Sequence, residues 1–93
     1  MSSTQIYANP EKMRDFASTL DKFTHDVTGE MERMKYRLGR LGETWRDDGF
    51  RDFVEHFKVA EKNVREFVAE VEHTAPQIRR DAEALANMQK MKL

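Results

Sequence analysis

Apolar residues recur at spacings of three and four along almost the whole chain. The first series is Met13, Phe16, Leu20, Phe23, Val27, Met31, Met34, Leu38 and Leu41. This spacing places its members on one face of an α-helix. Asn9 is a favourable N-cap, and Pro10 suits the first helical position. The pattern therefore predicts a first helix over about residues 10–41.

A second series repeats the same spacing after a short interruption. Its members are Phe50, Phe53, Phe57, Ala60, Val64, Phe67, Val71, Ala75, Ile78, Ala82 and Leu85. They predict a second helix over about residues 49–88. Pro76 lies inside this range, where proline removes a backbone hydrogen bond and presses on the preceding turn. Because the period continues beyond it, we predict a kink near Pro76 rather than a break.

The interruption, residues 42–48, predicts the bend of a hairpin. Gly39 and Gly42 are expected to close the first helix in the left-handed conformation. Candidate N-caps of the second helix are Thr44, Asp47 and Asp48. Trp45 is the only tryptophan, and an indole at a bend can fill the open end of the groove between two helices. The predicted fold is a single all-α domain over residues 1–93, an antiparallel two-helix hairpin, with Gly49 just after the turn.

The apolar series also predicts what lies inside and what faces a partner. The predicted core consists of Phe16, Leu20, Phe23, Val27, Leu38, Phe50, Phe53, Phe57, Val64, Phe67 and Val71. A second apolar row lies beside it on the second helix, at Val54, Val68, Ala75 and Ala82. One partner helix cannot cover so wide a face. We therefore expect this row to be an interface with a second hairpin, giving a four-helix bundle.

Charge and composition exclude several functions. The chain has 16 basic and 17 acidic residues and a formal net charge of -1, so no overall field favours nucleic acid. No apolar run approaches the roughly 18 residues that a membrane-spanning helix needs, so we predict no membrane span. The N-terminus shows no signal-peptide pattern, so we expect synthesis in the cytoplasm without a cleavable signal.

Ile6 and Tyr7 precede the first helix and are expected to fold over Ile78 and Leu85.

Catalytic motifs are not found in the sequence. There is no H-E-x-x-H motif, no phosphate-binding loop and no nucleophile elbow. Glu70 and His73 have the E-x-x-H spacing of di-iron helical bundles, although such a site needs further ligands from other helices. One alternative is thus a metal-carrying bundle that uses Glu70 and His73. The preferred interpretation is a non-enzymatic protein without a cofactor.

The bend and its flanks resemble the WXG family, the small Esx-like substrates of bacterial type VII secretion. The resemblance rests on Trp45 at the turn and on Phe53 and Phe57 just beyond it. Family members typically carry Trp-X-Gly, whereas here Trp45 is followed by Arg and Asp, with glycine at Gly49. The family's Tyr-x-x-x-Asp/Glu export signal after the second helix is absent.

The resemblance implies a secreted substrate, an adaptor or a toxin partner. It also implies pairing as a homodimer or as a heterodimer with a related hairpin, and contact with a secretion ATPase or a toxin. An intracellular chaperone for a single partner is a further alternative.

Overall fold

The computed structural model describes residues 8–91, which form a hairpin of two helices. Helix α1 spans Pro10–Leu41 and helix α2 spans Asp48–Lys90, against predicted ranges of 10–41 and 49–88. The all-α helical hairpin is confirmed. Its extents of 69 × 28 × 15 Å are those of a single layer of helices, since one helix with its side chains is about 10–12 Å across. The hairpin therefore has two broad faces.

Both helices begin at the polar caps that the sequence indicates. The Asn9 side chain accepts hydrogen bonds from the backbone N–H groups of Glu11 and Lys12, at 2.9 and 3.2 Å. Asp47 caps α2 by accepting from the Phe50 N–H at 3.0 Å. These contacts satisfy donors that have no partner inside the helix. Helix α2 then continues without a break through Pro76, and the kink there stays a prediction.

Small residues form the contact between the two helices. Ala17 of α1 packs with Val71 and Ala75 of α2, and both alanines are completely buried. Leu20 and Ile78 pack against this cluster. Alanine allows two helix backbones to approach closely, because the interaxial distance depends on the side chains at the contact. The contact is thus centred on alanine and valine rather than on the large aromatic residues.

The predicted core is wrong for four phenylalanines. Phe16, Phe23, Phe53 and Phe67 remain 56, 48, 50 and 49% exposed. Their rings are too large to fit between helices that meet at alanine, so they lie at the side of the contact. The other predicted core residues are half-buried, except for the buried Val71: they are Leu20, Val27, Leu38, Phe50, Phe57 and Val64.

The predicted interface row also needs correction. Ala75 and Ala82 are completely buried within the chain, so they have no surface to offer a partner. The helical contact is rotated on α2 towards this row, and that rotation exposes the phenylalanines instead. Val54 and Val68 are half-buried, and a partner role for them stays a prediction. The predicted cover of Ile78 and Leu85 by Ile6 and Tyr7 lies outside the described residues.

Gly42 ends α1 without the left-handed conformation that the sequence suggested. Its backbone is right-handed helical, with φ -66°, and no glycine in residues 8–91 has positive φ. The absence of a side chain matters for a different reason. A Cβ atom at Gly42 would lie 2.8 Å from the Cζ atom of Phe50. Gly42 thus allows the Phe50 ring to pack onto the end of α1.

Gly42→Ala is therefore expected to destabilise the hairpin. The added methyl forces the Phe50 ring or the turn to move, and such overpacking costs about 1–3 kcal/mol. Gly39→Ala is the matched control, because no atom lies within 4 Å of a Cβ at Gly39. Inside a helix that change stabilises by up to about 1 kcal/mol. Urea titration checks both, and equal effects of the two substitutions would contradict the packing role of Gly42.

Candidate functional site

Four exposed phenylalanines lie on one side of the hairpin, which we call the aromatic face. It consists of Phe16 and Phe23 of α1 and Phe53 and Phe67 of α2. The rings of Phe23 and Phe67 meet edge to face across the two helices, with centroids 5.8 Å apart and an interplanar angle of 80°. This contact places residues of both helices on the same face. About half of each ring still faces solvent.

Further apolar residues extend the aromatic face along the hairpin. On α1, Met34 and Leu41 are 50 and 46% exposed, and helical spacing places them in line with Phe16 and Phe23. On α2, the exposed Ala60 lies seven residues from both Phe53 and Phe67. Scattered exposed apolar residues are ordinary, whereas several large ones aligned on one face are typical of an interaction surface.

The opposite face of the hairpin is polar and carries ion pairs between the helices. Arg79 contacts Asp21 at 2.5 Å, and Lys35 contacts Glu61 at 3.4 Å. Glu61 is buried, and it also accepts a hydrogen bond from Arg65 at 2.9 Å. A groove on this face is lined by Thr28, Met31, Glu32, Glu61, Val64, Arg65, Val68, Ala69 and Glu72. The two faces thus differ in chemical character, and Val68 lies on the polar one.

The turn is held by contacts around Trp45. The indole packs edge to face on Phe50, with ring centroids 5.3 Å apart, and Trp45 is 37% exposed. Its backbone N–H donates to the Leu41 carbonyl at 2.9 Å, so the residue is tied to the end of α1. The indole thus packs at the bend as expected, with Phe50 as its partner, and part of the ring remains exposed to solvent.

Gly49 lies beside this indole at the start of α2. A Cβ atom there would lie 3.6 Å from Cζ2 of Trp45 and 3.3 Å from Oδ1 of Asp47. A side chain at Gly49 would therefore crowd the carboxylate that caps α2. The tryptophan and the later glycine belong to one small cluster at the turn.

The model of a family described as WXG100, proteins of 100 residues with WXG, matches residues 5–89. The chain belongs to the WXG100 family. No curated protein and no solved structure gives a significant match. Membership places the chain among small helical proteins associated with type VII secretion, which typically form dimers with related partners. In the described part of this WXG100 chain, neither helix contains a stretch apolar enough to cross a bilayer.

In this WXG100 protein, Gly49 and Trp45 lie close together at the turn. The extended backbone of Asp47, with φ -101° and ψ -177°, directs its carboxylate back to the first turn of α2. Gly49 comes two residues later, on that first turn, and approaches Trp45 from there. The sequence identified Trp45 and Gly49 but gave no sign of their contact. Sequence analysis also did not predict that Gly42 makes room for the Phe50 ring, because a glycine without a side chain adds nothing to the apolar pattern.

The ionisation of Asp47 makes the stability of the turn in the WXG100 hairpin depend on pH. A hydrogen bond from the Trp45 indole, together with the Phe50 backbone N–H, lowers the pKa of Asp47 from 3.8. A carboxyl group with a lowered folded pKa stabilises the fold above its unfolded pKa, and this contribution is lost as pH falls through the folded pKa. Asp47 therefore stabilises the turn at neutral pH and loses that effect in acid.

We expect Asp47→Asn to weaken this acid sensitivity. Asparagine caps a helix about as well as aspartate but does not titrate. Urea midpoints measured from pH 7 down to pH 2 should fall more steeply for the wild type than for Asp47→Asn. Other carboxyl groups, such as Asp26, also have lowered pKa values, so the informative quantity is the difference between the two curves. Parallel curves would contradict the role of Asp47.

The metal-carrying alternative gains no support from this WXG100 structure. Glu70 and His73 are both exposed on α2. Within residues 8–91, no group of three or more His, Cys, Asp or Glu side chains is placed to hold a metal ion. The described arrangement therefore offers these two residues no third ligand.

Proposed function

We propose that this chain is a non-enzymatic hairpin of a type VII-like secretion system. It acts as a secreted substrate, an adaptor or a toxin partner by pairing through its aromatic face with a second hairpin. The pairing completes a four-helix bundle of the kind expected from the sequence. The observation that supports this most is the half-exposed row of Phe16, Phe23, Phe53 and Phe67 on a single layer of helices.

The energetics of the aromatic face favour a partner. Full burial of a phenylalanine side chain stabilises by about 1.5–3 kcal/mol relative to exposure. Each of these rings retains about half of its exposure in the single hairpin, so much of that gain is still available. Among the described residues, the polar face has no comparable row, and its cross-helix ion pairs are already formed within the single hairpin. A second hairpin laid on the aromatic face would thus bury apolar surface and leave the polar face in water.

The intracellular chaperone alternative would use the same face, and export distinguishes it from the secreted roles. We suggest expressing an epitope-tagged chain in a bacterium that carries a type VII system, with and without that system's ATPase gene. The proposal predicts the tagged chain in the culture medium only when the ATPase is present. A tagged cytoplasmic enzyme serves as the control for lysis. Retention of the chain in both strains would contradict export by that system and favour the chaperone.

A further inference from the structure

We propose that Met34 is an oxidation site that controls binding through the aromatic face. With its thioether intact the face binds a partner, and conversion of the thioether to a sulfoxide by a peroxide prevents that binding. This inference rests on the proposed function, because it takes the aromatic face as the surface that meets a partner. It concerns the conditions under which that surface can bind, whichever hairpin the partner is.

Met34 lies on the α1 side of the aromatic face. A helix turns about 100° per residue, so positions 16, 23 and 34 fall within about 20° of one another around its axis. Met34 therefore stands in line with Phe16 and Phe23. Its side chain is 50% exposed, whereas Met31, on the preceding turn, is only 8% exposed. A peroxide in solution can thus reach the Met34 side chain in the single hairpin.

Two other exposed methionines, Met88 and Met91, lie far from Met34 at the C-terminal end of α2. Because Phe23 meets Phe67 in an antiparallel hairpin, the start of α1 lies opposite about residue 80 of α2. Both of these methionines therefore lie on the part of α2 that extends past α1. The chain contains no cysteine, so no thiol of its own competes with the methionines for a peroxide.

The reaction of Met34 with hydrogen peroxide is a two-electron transfer of oxygen. The thioether sulfur attacks one peroxide oxygen, so that an S–O bond forms and the O–O bond breaks. The departing hydroxide takes the proton from the transferred oxygen and leaves as water. Sulfur is thereby oxidised to the sulfoxide and the peroxide is reduced to water. Methionine sulfoxide reductases reverse this change, so the modification can act as a switch.

The sulfoxide makes one point of the aromatic face polar. A thioether packs favourably against aromatic rings, whereas a sulfoxide carries a polar oxygen that disrupts apolar contacts. Burial of this oxygen under an apolar partner surface is unfavourable, because it gives up its hydrogen bonds to water. In the single hairpin the half-exposed side chain keeps the oxygen in water. Oxidation of Met34 thus prevents pairing and leaves the hairpin folded, and pairing in turn shields Met34 from the peroxide.

Sedimentation equilibrium before and after treatment with hydrogen peroxide measures the effect on pairing. Association of the wild type should become at least about tenfold weaker, with an unchanged circular dichroism spectrum. Met34→Leu cannot form the sulfoxide, so its association constant should be the same before and after treatment. Met91→Leu is the matched control, because it removes a more exposed methionine that lies off the aromatic face, and it should lose pairing as the wild type does. Equal losses in Met34→Leu and the wild type would overturn the inference.

The rate of oxidation at each methionine gives a second readout. By mass spectrometry of the wild type, the Met34 sulfoxide should form more slowly as concentration rises and the chains pair, while the rate at Met91 stays constant. Assembly that is lost with Phe23→Glu but persists after complete oxidation of Met34 would overturn this inference alone. Assembly that is insensitive to Phe23→Glu would instead overturn the proposed function.

Discussion

Ala75→Asp is expected to unfold the hairpin or to bring it close to unfolding. Ala75 is completely buried in the contact with Ala17 of α1. An aspartate there would place a carboxylate between two closely packed helices, and the nearest cation along the helix, Arg79, is already paired with Asp21. Burial of an unpaired charge is among the most destabilising substitutions, and we expect a loss of at least about 3 kcal/mol. Urea titration followed by circular dichroism measures it.

Ala69→Asp is the matched control for this substitution. Ala69 lies on the same helix, less than two turns before Ala75, but it is exposed. The same chemical change there should alter the free energy of unfolding by no more than about 0.5 kcal/mol. Similar losses for Ala69→Asp and Ala75→Asp would show that α1 does not pack on the alanine side of α2. The position of the aromatic face would then have to be revised.

Phe23→Glu combined with Phe67→Glu is expected to abolish assembly while the hairpin remains helical. These two rings form the centre of the aromatic face and contact each other at 5.8 Å. Aromatic residues at the centre of an interface commonly contribute 2 kcal/mol or more each, so the double substitution should weaken pairing at least about 100-fold. Light scattering at high concentration should show the mass of a dimer for the wild type and of a monomer for the variant.

Tyr36→Glu controls for the loss of an exposed aromatic residue. Tyr36 is 65% exposed, and helical spacing places it on the side of α1 away from the aromatic face. Its hydroxyl oxygen only accepts a hydrogen bond from Arg40 of the same helix, at 3.1 Å. Assembly should survive this substitution. A dimer that persists in the phenylalanine variant, or that is lost equally in Tyr36→Glu, would contradict the assigned face.

The sequence was sufficient for the helices but not for the orientation of their contact. Spacings of three and four define where α1 and α2 run, and Asn9 and Asp47 define where they begin. The same spacings leave two neighbouring apolar rows on α2. Ranking these rows by hydrophobicity selects Phe53 and Phe67 for the core, whereas close packing selects Ala75 and Ala82. Periodicity carries no information about how closely two helices approach, so it did not show that the contact is displaced from the phenylalanines towards the alanines.

The turn shows a similar limit of prediction from the sequence. Trp45 indicated a bend because it is the only tryptophan and lies among glycines and polar residues. The contact of Gly42 with Phe50 depends on the positions of atoms eight residues apart in a loop without a regular period. Conformational preference suggested a left-handed glycine there, and the actual constraint is space. Contacts of this kind follow from the folded geometry and have no simple sequence pattern.

The most direct test of the aromatic face is protection of a single thiol on assembly. The chain contains no cysteine, so Ala60→Cys places one reporter on the aromatic face and Ala69→Cys places one away from it. Both alanines are exposed in the single hairpin. If the aromatic face is the pairing surface, alkylation of Ala60→Cys slows as concentration rises and the dimer forms, while alkylation of Ala69→Cys keeps its rate. Slowing at Ala69→Cys with an unchanged rate at Ala60→Cys would contradict the account.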